Sequence, residues 1–138
     1  MKALTISQPY ASLIASGEKW VENRMWATAY TGPLLIHAGK GRQYLTAQEL
    51  EHYPIGAAVA HCRLVACVEL RWAQDQFAGG FIPKIEGSTK DVMDLLSHKH
   101  AEGPWCWILE DIVPITPPVR MRGAQGLWDT SYDPKVPQ

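Results

Sequence analysis

The chain has 138 residues, 46% of them hydrophobic and 20% charged, and a net charge of −1. That is the make-up of an ordinary soluble globule, close to the usual size of one domain and large enough to need no staples, so residues 1–138 read as a single domain. The near-neutral balance excludes a polybasic, histone-like mode of nucleic-acid binding.

The charge is nonetheless uneven. Residues 1–43 carry five Lys/Arg against Glu18 and Glu22, a net of +3; residues 44–113 carry −5 and residues 114–138 carry +1. A basic surface built from the two ends of the chain is compatible with that distribution, as is simple scatter. Cys62, Cys67 and Cys106 form no C-x-x-C pair and read as buried, reduced thiols of a reducing compartment. The start of the chain lacks the apolar run of a signal peptide, and no apolar stretch approaches the ~20 residues of a membrane span. The expectation is a cytoplasmic protein with no membrane contact.

In chain order, Leu4-Thr5-Ile6 is β-prone. Ser7-Gln8-Pro9 then opens a short helix, with Ser7 or Gln8 capping, an apolar stripe at Ala11, Leu13, Ile14 and Ala15, and Gly17 as the stop. Trp20 to Trp26 reads as a strand with Trp20, Glu22, Arg24 and Trp26 on one face. A turn at Thr31-Gly32-Pro33 leads into a buried strand, Leu34 to Ala38. Thr46 and Glu49 have capping-box spacing, which predicts a helix over 45–52. The longest strand signal runs from Ala57 to Trp72, with an apolar face at every second residue from Ala58. Residues 74–87 read as loop, and Ser88 to Asp91 open a helix carrying Val92, Met93, Leu95 and Leu96. Trp105 to Glu110 is a strong strand, and 119–128 a last one broken by Gly123 and Gly126. Five to six short strands with two to three small helices describe an antiparallel barrel or a strongly curled sheet.

Three groups carry chemistry. Lys19, Glu22 and Arg24 lie within six residues; Glu22 and Arg24, two apart on one strand face, are placed to pair. A cation–anion–cation trio suits a phosphate or a polar base edge, and supports proton transfer if burial favours the neutral amine; the same trio also reads as a surface ion-pair strand. Six tryptophans and Tyr10 beside Lys and Arg are the material of base-stacking platforms. Most of the tryptophans are expected in the core, with Trp105 the better cleft candidate. His37 and Lys40 close a strand, where a histidine can serve phosphate, act as acid or base, or be a satisfied structural group. No zinc-type spacing, P-loop, Rossmann glycine pattern or G-x-S-x-G elbow is present, so neither metal nor cofactor is expected.

Taken in order, Gly17, Lys19, Glu22 and Arg24 match G-x-K-x-x-E-x-R, and the chain resembles the ASCH (activating signal cointegrator homology) domains of the PUA-like superfamily. The segments 4–14, 30–40, 107–110 and 122–128 are similar to the flanks and closing strands of bacterial and phage members. The resemblance implies an α+β, mainly β fold, a PUA-like antiparallel β-barrel, with a cleft beside the helix-to-strand junction. It implies a binding domain for RNA or single-stranded nucleic acid, or for a modified nucleoside. Candidate contacts are Ser7, Gln8, Tyr10, Lys19, Glu22, Arg24, His37, Lys40, Trp105 and Gln125; Lys19, Glu22 and Arg24 are the catalytic candidates. The alternative is an enzyme using the same cleft, either a metal-independent ribonuclease or a modified-nucleoside amidohydrolase. Amidohydrolase relatives use a threonine where this chain has Glu22, and a carboxylate cannot replace that hydroxyl nucleophile.

Overall fold

Short apolar runs, each closed by glycine or proline, produce short elements. The computed structural model describes residues 1–136. Its strands are β1 (Lys2–Ile6), β2 (Val21–Arg24), β3 (Gly32–Ala38), β4 (Ala57–Glu69), β5 (Trp105–Arg120) and β6 (Leu127–Asp129). Its helices are α1 (Tyr10–Ala15), α2 (Leu70–Ala78) and α3 (Val92–Ser97). The strands hydrogen-bond in the order β2-β5-β4-β3-β1-β6. Six strands and three short helices make the fold mainly β, as expected.

The chain forms two compact units. The first comprises Met1–Lys19, Pro33–Cys62 and the described chain from Asp111; the second comprises Trp20–Gly32 and Arg63–Glu110. In the first unit Ala3, Leu35 and Ala58 are fully buried under Met1, Ile115, Val119, Met121, Trp128 and Tyr132. In the second, Val21, Ala66, Ala73, Ile85, Val92, Leu95, Cys106 and Ile108 form the core. The predicted apolar face of β4 is inward-facing as far as Ala66: Ala58, Ala60, Cys62, Leu64 and Ala66 are all buried.

Within the first unit β1 runs parallel to β3, pairing Thr5 with His37 and Ile6 with Ala38. A parallel pair needs a long crossover, and α1 with β2 supplies it. That one pair departs from the all-antiparallel pattern expected. β6 pairs antiparallel with β1, and β2 with β5.

Three local readings are corrected. The strand over 57–72 stops at Glu69, and residues 70–78, taken as strand end and loop, form α2. Leu70, Ala73 and Phe77 have helical spacing, and Ala73 is buried between α2 and the second unit's core. The capping box at Thr46 and Glu49 does form, with both reciprocal bonds, yet only a 3₁₀ turn over Glu49–Glu51 follows. No residue of that turn is buried, so nothing drives the helix to propagate. Finally, the strand predicted over 119–128 is the end of β5, an irregular loop at 121–126, and β6.

Candidate functional site

Because β1 and β3 are parallel, both end at the same edge, and the chain leaves that edge through Ser7-Gln8 and through Gly39-Lys40. Gly39 N–H donates to the Ile6 carbonyl at 2.9 Å and Gly56 N–H to the Ala38 carbonyl at 2.8 Å, which ties the outgoing loops to the strand ends. Gln8 is fully buried. Its Nε2 donates to Ser12 Oγ at 2.7 Å and to the Pro54 carbonyl at 2.8 Å, and its Oε1 accepts from Ser12 N–H at 2.9 Å. Gln8 thus caps α1 and fastens it to the 54–56 loop; its amide is committed to structure. Ser7 is half-buried and contributes its carbonyl to Ala11 N–H.

The next layer is a chain of hydrogen bonds. His37 Nε2 lies 2.8 Å from the Met121 carbonyl, which can only accept, so Nε2 carries the proton. In the neutral ring Nδ1 is then an acceptor, and it receives the Thr5 hydroxyl at 3.2 Å. Thr5 Oγ1 in turn accepts from Trp128 Nε1 at 3.2 Å, and Trp128 meets the imidazole edge-on. His37 is 2% exposed. Both ring nitrogens are occupied, and the ring holds the Met121 carbonyl where the 122–126 loop begins. Gly123 passes so close that a Cβ there would lie 2.5 Å from His37 Cε1 and 2.7 Å from Thr5 Oγ1.

Above this network lies a cleft of about 340 Å³ lined by Thr5, His37, Gly39, Lys40, Arg122, Gly123, Ala124 and Gln125. None of the eight is acidic, and Lys40, Arg122 and Gln125 are exposed. The Lys40 stem lies against Gly56, whose φ is +62; a Cβ there would stand 3.1 Å from Lys40 Cε. Of the residues expected at the site, His37, Lys40 and Gln125 line this cleft. Sequence reasoning missed Thr5, Arg122 and Gly123, although the glycine spacing of Arg122-Gly123-Ala124-Gln125-Gly126 marks a loop rather than a strand.

Lys19 also belongs to the first unit. Gly17, with φ +85, ends α1, and Lys19 N–H donates to the Leu13 carbonyl at 3.0 Å. Its side chain is almost wholly buried, with the ammonium 5.6 Å from the centroid of the Tyr10 ring. Tyr44, 56% exposed, packs edge-on against Tyr10 at 5.4 Å. A ring quadrupole helps to hold a desolvated cation in place.

Glu22 and Arg24 belong to the second unit. Arg24 Nε is 3.0 Å from Glu22 Oε2, so the two pair as the strand periodicity predicted. Their register partners on β5 are Trp107 and Trp105, so the ion pair shares its sheet face with two indoles. Glu22 is buried, and its carboxylate holds Arg24 rather than standing ready for a base edge. Trp107 is the one tryptophan that is fully buried; Trp26 and Trp72 are exposed, and Trp20, Trp105 and Trp128 are half-buried. The expectation that most would lie in the core is therefore corrected: Trp20 and Trp26 flank β2, Trp105 opens β5, Trp128 lies on the three-residue β6 and Trp72 lies on α2. Among the described residues no three His, Cys, Asp or Glu side chains are grouped to hold a metal ion, and no helix is long and apolar enough to cross a membrane.

The model of the ASCH domain matches residues 4–115. The chain belongs to the ASCH-domain family. Among solved structures it is similar to the ASCH protein of Zymomonas mobilis, at 17% identity and a TM-score of 0.49, covering 86% of this chain and 72% of that one. Two single-residue variants of the same protein are similar at 15% and 17% identity, with TM-scores of 0.49 and 0.48. They cover 86% and 87% of this chain, and 74% and 73% of theirs. No curated protein matches the chain. The matched family region ends at residue 115, so the Arg122–Gln125 loop of this ASCH domain lies beyond it.

Proposed function

We propose that this ASCH domain binds RNA or another single-stranded nucleic acid, seating one nucleotide in the cleft of the first unit. The observation that carries the reading is the composition of that cleft: two cations, one primary amide, backbone at two glycines, and no carboxylate. Lys40 and Arg122 take the phosphate, and their contribution is ionic and salt-dependent. Gln125 offers one acceptor and two donors to a base edge. The volume sits at the low end of ligand sites, which run from about 300 to 1,000 Å³, and suits one nucleotide or a free modified nucleoside rather than a stretch of duplex. Tyr44 presents an exposed ring for a neighbouring base.

A titration of short single-stranded RNA into the parent chain and into the Lys40→Gln/Arg122→Gln double variant tests this reading. Weaker binding by the variant supports it, and equal binding rejects the cleft. A thermal shift with free nucleosides and none with oligonucleotides would move the assignment to a nucleoside pocket.

Lys19 favours a second, hydrolytic reading. A buried ammonium against a tyrosine ring is a chemically distinctive group, and in a metal-independent ribonuclease or a modified-nucleoside amidohydrolase it would stabilise the negative charge that develops in the transition state. His37 lends that reading no support, because both its nitrogens are engaged. RNA cleavage or nucleoside deacylation in EDTA that disappears in Lys19→Ala would establish it; cleavage that survives the substitution would reject it.

A further inference from the structure

The second unit carries a cleft of its own, of about 280 Å³, lined by Trp20, Lys90, Asp94, Ser97 and His98. Trp20 is pinned there from one side. Its backbone N–H donates to His98 Nε2 at 3.3 Å, and the imidazole lies parallel to the indole, with centroids 4.6 Å apart and planes within 2°. Lys90 Nζ stands over the same indole, 5.1 Å from its centroid. Part of the indole in this cleft is therefore covered by the end of a flexible side chain rather than by packed core. A lysine stem swings aside at little cost.

The remaining two lining groups stand three residues apart on α3 and so neighbour each other on its surface. Ser97 offers a hydroxyl. Asp94 uses Oδ2 to accept from Asp91 N–H at 2.9 Å, and a carboxylate has lone pairs beyond that one bond. An indole backed by an imidazole, an ammonium, a carboxylate and a hydroxyl are complementary to the parts of one nucleotide. The base stacks on Trp20, worth about 1–3 kcal/mol in single-strand binders. The phosphate takes the Lys90 ammonium. The sugar hydroxyls donate to Asp94, the pairing that acidic residues make with ribose in dinucleotide sites.

We propose that this cleft is a nucleotide subsite, distinct from the cleft of the first unit, that takes a ribonucleoside 5′-phosphate, free or as one residue of an RNA chain. Lys90 moves from the indole face to the phosphate as the base stacks. The proposal stands whether or not the first cleft binds RNA.

The test follows the indole N–H signals of the whole ¹⁵N-labelled chain, with the Trp20 signal assigned through Trp20→Phe. The probes are adenosine 5′-monophosphate, its 2′-deoxy form, adenosine and a short oligoadenylate. Saturable movement of the Trp20 signal with the monophosphate is expected. Lys90→Ala should weaken the monophosphate roughly three- to tenfold, the scale of one partly exposed charge-assisted contact, and leave adenosine unchanged; Lys90→Arg should keep most of the affinity. Tighter binding of the oligoadenylate marks an RNA residue as the occupant, and equal or weaker binding marks a free nucleotide. No movement of the Trp20 signal at millimolar monophosphate, or an affinity indifferent to Lys90→Ala, overturns the proposal. Equal affinity for the ribo and deoxy forms overturns the sugar contact. The Lys40→Gln/Arg122→Gln variant should retain the full Trp20 response, so failure of the first cleft and failure of this one are told apart.

Discussion

Replacing Gly123 by alanine adds one methyl group against the His37 network. The new Cβ would sit 2.5 Å from His37 Cε1, 2.7 Å from Nδ1 and 2.7 Å from Thr5 Oγ1. Ordinary carbon contacts begin near ~3.5 Å, so about 1 Å of movement is required. The imidazole cannot supply it freely, because Met121, Thr5 and the edge of Trp128 hold it on three sides. Either the 122–126 loop lifts, or the ring turns and gives up a hydrogen bond. Overpacking of a close-packed site costs about 1–3 kcal/mol, and a lost hydrogen bond adds about 1 kcal/mol. A total of about 2–4 kcal/mol lowers Tm by roughly 7–14 °C, taking about 3.5 °C per kcal/mol for a chain of this size. Gly39→Ala is the control, since its Cβ would meet a single methyl, Thr5 Cγ2, at 3.1 Å, for a cost below about 1.5 kcal/mol. Urea and thermal unfolding measure both variants, and the Trp128 indole N–H signal reports on the network. A Gly123→Ala chain that melts within about 2 °C of the parent, with that signal unmoved, would refute the packing argument.

Gln8→Ala should cost about 2–4 kcal/mol in urea unfolding, because it leaves the Ser12 N–H and the Pro54 carbonyl without their buried partner; Gln8→Glu should fare little better, since a carboxylate would face the Pro54 carbonyl. Burial pushes the Cys62 thiol from an ordinary value near 9 up to about 12. The unfolded chain then releases this proton first, so stability should fall as pH rises from about 9 towards 12. Cys62→Ala should flatten that alkaline limb. Glu110 is pulled both ways: burial works upward, but hydrogen bonds from Ser88 and Thr89 and the charge of Lys90 outweigh it, and the carboxyl titrates below its ordinary value. Its contribution is present above the unfolded value and is lost as pH falls through the folded one. Ser88→Ala should therefore move the midpoint of acid unfolding to higher pH, and an unmoved midpoint would count against the bond.

Much of the frame was legible because each element announces itself locally. The Gly17 stop, the apolar face of β4 and the Asp91 cap of α3 all rest on neighbours in the chain. Where burial decides, sequence misleads. Thr46 and Glu49 satisfy the capping box, yet without an apolar stripe to bury the turn ends after three residues. Leu70 continues the alternation of β4 and also begins the helical spacing of α2, so the pattern there serves both periods. At the site, the pairing of Glu22 with Arg24 follows from strand periodicity. The burial of Lys19 against Tyr10 depends on the chain beyond Gly17 turning back along α1 to its first residue, and the nearness of Gly123 to His37 links residues 86 apart. No local signal carries a contact of that span.

The salt dependence of RNA affinity is the sharpest probe of the cleft proposed here, formed by Thr5, His37, Lys40 and the 122–125 loop. Each phosphate neutralised on a single strand contributes about 0.7 to the slope of log affinity against log salt. Lys40 and Arg122 share one phosphate, so the Lys40→Gln/Arg122→Gln variant should bind more weakly and show a slope smaller by about 0.7 than the parent. Parallel lines of equal affinity would rule this cleft out as the RNA site.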